Sequence, residues 1–200
     1  MMRSNTLDVD VTFICRKGDF LMEHVTYRPL HERELNRSLF ASFQRRQVVG
    51  DCWRKAGHGW VIQSDPFIDD WDEGDYDFLM RCLAHTLQTG GAVFGAFVDG
   101  ILKGFTSVEA PPWGPRGEYR DLSSLHVSAD CRGHGMGTAL FLLAAGWAKE
   151  QGGEKLYISS HSAVETQAFY RGLGCVDAGW IHQEHAQKEP FDCQIEYTIP

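Results

Sequence analysis

Leu125-His126-Val127-Ser128-Ala129-Asp130-Cys131-Arg132-Gly133-His134-Gly135-Met136-Gly137-Thr138-Ala139-Leu140 is the stretch that decides the architecture. A strand-like run ending at Val127 feeds a turn in which three glycines alternate with other residues. The turn opens at once into a helical pattern marked by Met136, Leu140, Leu143, Ala144 and Trp147. Glycine lets a backbone come close to a ligand, and the first amides of a helix lack internal partners and carry the positive end of its dipole. A pyrophosphate fits such a turn. A dinucleotide fingerprint would need G-x-G-x-x-G with an acidic residue about 20 positions on; Glu154 lies near that distance, but the glycine spacing is wrong. A Walker loop would need Gly-Lys-Ser/Thr, which is missing. A purely structural turn stays open as the plainer reading.

Downstream, Lys155–Ser160 reads as a short strand, 162–173 as a helix, 175–181 as a strand, and 193–199 as a closing strand with Cys193, Ile195, Tyr197 and Ile199 alternating against polar residues. Upstream, 119–127 is strand-like and Pro111-Pro112-Trp113-Gly114-Pro115 must be a loop. Residues 92–98 and 102–109, joined at Asp99-Gly100, predict a β-hairpin, because Asp-Gly tolerates the positive φ angles of a tight two-residue turn. A helix is expected over 75–88, with Leu79, Leu83 and Leu87 on one face and Gly90-Gly91 ending it. The acids before it, from Asp65 through Asp69, Asp70, Asp72 and Glu73, read in part as chemistry of the helix start. Residues 52–55 and 60–63 suggest a small hairpin about Gly57-His58-Gly59, and 31–47 a helix with Leu35, Leu39 and Phe43 on one face. The other face of that segment carries Arg33, Arg37, Arg45 and Arg46: either a solvated basic face or a contact for an acidic ligand. Residues 25–30 form a strand-like start, and 1–22, with a candidate strand over 6–14 and an alternative start at Met22, read as a peripheral extension to a single domain over 23–200. This order implies an α/β (α+β) fold, a mixed and mostly antiparallel sheet flanked by helices with one parallel crossover.

A chain of 200 residues with 43% hydrophobic residues suits one packed domain. A net charge of −8 argues against a nucleic-acid face, which needs clustered cations, and suits a cationic partner better. The six cysteines, Cys15, Cys52, Cys82, Cys131, Cys175 and Cys193, form no C-x-x-C pair and read as reduced thiols. No leader or membrane-spanning run is apparent, so a cytoplasmic protein without membrane contact is expected. His182 and His185 with Cys193 could be drawn as a metal site, but surface histidines explain them and no metal is expected.

The run Arg132-Gly133-His134-Gly135-Met136-Gly137 resembles the [Q/R]-x-x-G-x-[G/A] acyl-CoA signature of the GNAT superfamily. Ser162-Ala163-Val164-Glu165-Thr166-Gln167-Ala168-Phe169-Tyr170-Arg171-Gly172-Leu173-Gly174-Cys175 is similar to that family's later motif, with Cys175 where Phe is usual. The runs 161–170 and 189–197 are also similar to a bacterial subgroup of that family. The resemblance implies an acetyl-CoA-dependent N-acetyltransferase. It implies that the amides of Arg132, Gly133, His134, Gly135, Met136, Gly137 and Thr138 hold the CoA pyrophosphate. It further implies that the fourth and fifth core strands splay, so that pantetheine lies between Leu125, His126 and Val127 on one side and Ser160 on the other. Tyr170 matches the tyrosine placed near the acyl sulfur, where a phenol can protonate the departing thiolate. Asp121 matches a position where some members carry a catalytic carboxylate. Glu109 is the second candidate base and His126 the third, since alternation turns it from the Asp121 face unless a bulge intervenes. The amide of Val127, lacking a sheet partner at the splay, is the candidate oxyanion donor. Ser162 and Glu165 read as a capping box.

The expected reaction is direct acetyl transfer to a primary amine of a small molecule. An acyl-CoA sensor without turnover, and a protein N-acetyltransferase, are the alternatives; the latter needs an open groove, whereas the aromatic-rich N-terminal region suggests a closed pocket. The sequence does not decide on a homodimer.

Overall fold

A computed structural model of the chain describes residues 15–17, 20–22, 25–57 and 59–200. Its strands are β1 (Cys15–Lys17), β2 (Phe20–Met22), β3 (Val25–Pro29), β4 (Arg46–Ala56), β5 (Gly59–Asp70), β6 (Ala92–Val98), β7 (Ile101–Val108), β8 (Tyr119–Asp121), β9 (Ser124–Val127), β10 (Lys155–Ser160), β11 (Val176–Asp177) and β12 (Cys193–Thr198). The helices are α1 (Glu73–Gln88), α2 (Met136–Glu150), α3 (Val164–Gly172) and α4 (Gln183–Lys188). The strand expected over 6–14 lies outside the described residues.

Two four-stranded sheets, ordered β3-β6-β7-β9 and β8-β10-β12-β11, are joined by one run of chain that changes partner part-way. Tyr119–Asp121 pairs parallel with β10, whereas Ser124–Val127 pairs antiparallel with β7. Leu122 still donates to Tyr157 O (2.9 Å), but Ser123 donates to Ser107 O (3.1 Å), so the switch falls between these two residues. Beyond it the fourth and fifth core strands diverge. The pairing of β8 with β10 around α2 is the single parallel crossover among the described residues.

The β6–β7 hairpin turns at Asp99 (φ 50°) and Gly100 (φ 79°), the positive angles that its sequence anticipates. Asp72 caps α1 by accepting from Asp75 N (3.0 Å), and Asp75 returns the bond to Asp72 N (2.9 Å). Helix α2 crosses β7 at Gly104, where a Cβ would lie 2.8 Å from Met136 Sδ and 2.9 Å from Leu140 Cδ1. A larger residue there would push the helix off the sheet.

Several expectations are corrected. Residues 31–45 contain only a 3-10 turn at Glu32–Glu34 and further turns, and Arg46 and Gln47 already begin β4. Asn36 Oδ1 accepts from the amides of Ser38 and Leu39, and the following amides bond three residues back, so the α-helical ladder never starts. The apolar grouping survives, since Phe40 and Phe43 are buried with Leu35 and Leu39 against α1 and Phe105. The small hairpin is instead a two-stranded ribbon running through all of β4 and β5. Asp65, Asp69 and Asp70 belong to β5 rather than to the helix start, and pair with Arg54, Arg45 and Arg46 across the ribbon. The strand expected over 175–181 is only Val176–Asp177, and α4 lacks a clear apolar period in its sequence. Helix α3 is capped at Ala163 with no side-chain bond, so the Ser162–Glu165 capping box does not form. Ser162 Oγ accepts from Arg54, and Ala163 N donates to His161 Nδ1.

Candidate active site

The splay opens onto a cavity of about 800 Å³. Of the residues singled out in the sequence, Leu125, His126, Val127, Arg132, Gly133, Gly135, Met136, Gly137, Thr138, Ser160 and Tyr170 line it, whereas His134 and Asp121 do not. Ser123, Arg45, Gln47, His161 and Thr166 line it as well; Arg45 was read in the sequence as one of four arginines on a basic face, and His161 and Thr166 fell within the runs similar to the family.

Gly135 caps α2 in the left-handed region (φ 81°), and Gly133 has φ 80°. The first amide bond back into the helix cap is Ala139 N to Gly135 O (3.0 Å), which leaves Met136, Gly137 and Thr138 N–H in the unpaired first turn. A Cβ on Gly133 or Gly135 would meet nothing within 4 Å, so the space in front of the turn is open. The bond from Ser128 N to Lys103 O (2.8 Å) fixes the parity of β9. The N–H groups of Leu125 and Val127 therefore point away from β7, into the splay. Arg132 Nε donates to Val127 O (3.1 Å), tying the glycine turn to the end of that strand. Unpaired amides, an open approach and room for an extended chain are what a diphosphate followed by a thin amide-bearing arm requires.

The closed end of the splay holds the titratable groups. Tyr170 is buried in the core cluster of Leu122, Phe141 and Ile158, and its ring packs on Phe141 and Phe169. Burial raises its pKa well above the usual phenol value, so it stays protonated. Asp121 is 3% exposed, and burial, followed by the nearby Glu109 carboxylate, pushes its pKa up to about 8. Glu109 Oε1 accepts from Ser123 Oγ (2.6 Å) and Thr86 Oγ1 (2.6 Å), and the hydroxyls of Ser123 and Ser107 lie 2.8 Å apart. Ser123 connects this carboxylate to the cavity. The partner switch at Leu122–Ser123 breaks alternation, so His126 comes to the same side as Asp121. The His126 ring packs on Trp71 and Phe105; burial, then Arg45 and Arg132, push its pKa down to about 3.

One wall comes from the region before Ala92. Gln44 N donates to Ser128 Oγ (3.0 Å) and Gln44 O accepts from Ala129 N (2.9 Å), next to the end of β9. From there β4 runs across the mouth of the splay: Gln47 reaches Thr166, Cys52 bridges to Ala163, and Trp53 N donates to Ser162 O (2.8 Å). His182 stacks on Trp113 at 4.2 Å, and among the described residues no three His, Cys, Asp or Glu side chains are gathered to hold a metal.

The family model described as "Acetyltransferase (GNAT) family" matches residues 56–175. The chain belongs to the GNAT acetyltransferase family. The matched segment contains the splay, the glycine turn and Tyr170, and this GNAT chain is accordingly an acetyltransferase. Among solved structures its fold is similar to a nourseothricin acetyltransferase at 17% identity and TM-score 0.65, with 88% of this chain and 99% of that one covered. It is also similar to a Bacillus anthracis protein assigned as a streptothricin acetyltransferase, in complex with acetyl coenzyme A, at 16% identity and TM-score 0.63, covering 86% and 95%. A Thermoplasma acidophilum PaiA N-acetyltransferase in complex with coenzyme A shares 14% identity at TM-score 0.54, covering 87% and 98%. No functionally curated protein matches the GNAT chain. Among its described residues no helix is long and apolar enough to cross a membrane.

Proposed function

We propose that the protein transfers an acetyl group from acetyl-CoA to a primary amine of a small molecule by direct attack. The observation that carries this reading is the unpaired first turn of α2 opening onto the cavity between β9 and β10. Acetyl-CoA, when bound, supplies an electrophilic thioester. The amides of Gly135 to Thr138 grip its diphosphate, with Gly133 and Gly135 leaving the approach clear. Val127 N–H meets the pantetheine arm, and Leu125 N–H, two residues nearer the closed end, steadies the oxygen on which charge develops. The ammonium of the acceptor gives up its proton through Ser123 to Glu109. Asp121 lies off the cavity and is kept protonated near neutrality by burial and the Glu109 charge, so it does not touch the acceptor. Tyr170, held protonated, gives its proton to the leaving thiolate.

The β4 strand across the mouth of the splay supports a small acceptor over a peptide, which would need an open groove there. Thiol release from acetyl-CoA with a panel of small amines, followed by mass spectrometry of the products, tests the reading. Acetylation of protein N-termini without acetylation of any small amine would overturn it, as would tight CoA binding with no turnover.

A further inference from the structure

Arg45 precedes β4 and lines the cavity, yet only 9% of its side chain is exposed. Its Nη2 pairs with Asp69, and its guanidinium lies 5.3 Å from the Trp71 ring centroid. Nε and Nη1 are buried without any hydrogen-bond partner. A buried N–H of a charged group left unpaired is costly, so such a group in a binding cavity is prepared for a ligand. Arg132 lines the same cavity close enough for the Arg45 charge to add to burial in lowering its pKa, and His126, on which burial and both guanidinium charges act, is held neutral. Among the described residues Asp69 is the acid paired with Arg45, and with Arg132 close by two guanidinium groups face this one carboxylate.

We propose that Arg45 receives an anionic group of the acceptor, and that the acceptor is an amine that also bears a carboxylate. This rests on the small-molecule reading above. Guanidinium nitrogens in a dry site recognise carboxylate oxygens more strongly than neutral acceptors. The phosphate cradle on α2 already provides its own donors, whereas Arg45 lies with Trp71 and His126 on the α1 side of β9, where Glu109 and Ser123 await the amine. Arg45 and His126 both lie against Trp71, and His126 is one to three residues of strand beyond the Ser123–Leu125 segment that we place at the reacting carbonyl. At about 3.3 Å per residue, amine and carboxylate are separated by roughly 3–10 Å. A polyamine, with a second cation at that distance, would be repelled.

The experiment compares ω-amino acids from glycine to 8-aminooctanoate, each beside its carboxamide, with putrescine and spermidine as cationic controls. Acetyl-CoA is the donor, and wild type is set against Arg45→Gln and Arg45→Lys. Wild type should favour the acid over the amide by about tenfold or more in kcat/KM once the chain spans the gap. Arg45→Gln should erase that preference, Arg45→Lys should retain part of it, and calorimetric CoA affinity should be unchanged in both, which also reports that the variants fold. Preference for amides or polyamines in wild type overturns the anion assignment and leaves the small-amine reading standing. Weakened CoA binding in Arg45→Gln, whatever the acceptor, assigns the anion to the cofactor's phosphates and overturns it too. Acetylation of peptides with none of these amines used overturns both readings.

Discussion

Replacing Gly135 by Glu places a carboxylate where the diphosphate is expected. Gly135 has φ 81°, and an added side chain meets nothing within 4 Å, so it projects into the open approach rather than into the core. Two unit charges about 5 Å apart repel by about 3 kcal/mol at an effective dielectric of about 20. The site is exposed, so screening reduces this to about 1–3 kcal/mol, or about 5- to 160-fold in CoA affinity. The left-handed backbone adds about 1 kcal/mol against folding for any residue with a Cβ. Gly135→Ala carries the same backbone cost without the charge, so the difference between the two variants isolates repulsion at the phosphates. Calorimetric titration with CoA, alongside thermal unfolding, is the assay. Both variants should lose similar stability, and only the Glu variant should lose about tenfold or more in affinity beyond the Ala variant, with the gap shrinking in high salt. Equal CoA affinity in the Ala and Glu variants at low salt would refute the cradle.

Three further outcomes follow from the same geometry. Tyr170→Phe should lower kcat by about a hundredfold with CoA affinity unchanged, and retained turnover would remove the phenol from the mechanism. Glu109→Gln keeps an acceptor oxygen for Thr86 and Ser123 but loses the base, so kcat/KM should fall by about a hundredfold or more, and further than in Asp121→Asn; the reverse ranking would return the base role to Asp121. Asp121 has a folded-state pKa of about 8 against 3.8 as reference, so the folded state binds the proton more tightly. Its contribution to stability is therefore complete below about pH 4 and declines as pH rises toward 8, by up to about 1.4 kcal/mol per pH unit. Urea unfolding across that window should show the decline in wild type and its removal in Asp121→Asn; identical slopes would contradict the burial argument.

What the sequence discloses are the features whose cause is local. Asp99-Gly100 needs only its own φ angles to define the β6–β7 hairpin, and the glycine turn into Met136 carries both the helix start and the proposed anion site within seven residues. The helix expected over 31–47 fails because Asn36 takes two amides onto its side chain, a competition that apolar spacing does not register. The length of the β4–β5 ribbon was hidden because Asp65, Asp69 and Asp70 look like free acids until Arg54, Arg45 and Arg46 come opposite them. Asp121 was placed correctly on its strand, but its distance from the cavity depends on the partner switch at Leu122–Ser123, a property of two sheets at once. Ser123 and Glu109 meet only because that switch turns the serine toward β7. Arg45 read as one of four arginines on a basic face, and only the crossing of β4 over the splay buries it.

The most direct measurement is a crystal structure of the protein with acetyl-CoA. The account predicts diphosphate oxygens within hydrogen-bond distance of the Met136, Gly137 and Thr138 amides, pantetheine extended between β9 and β10, and the acetyl group between Leu125 N and Ser123. A cofactor bound elsewhere, or β9 and β10 closed against each other with that cavity filled by side chains, would contradict it.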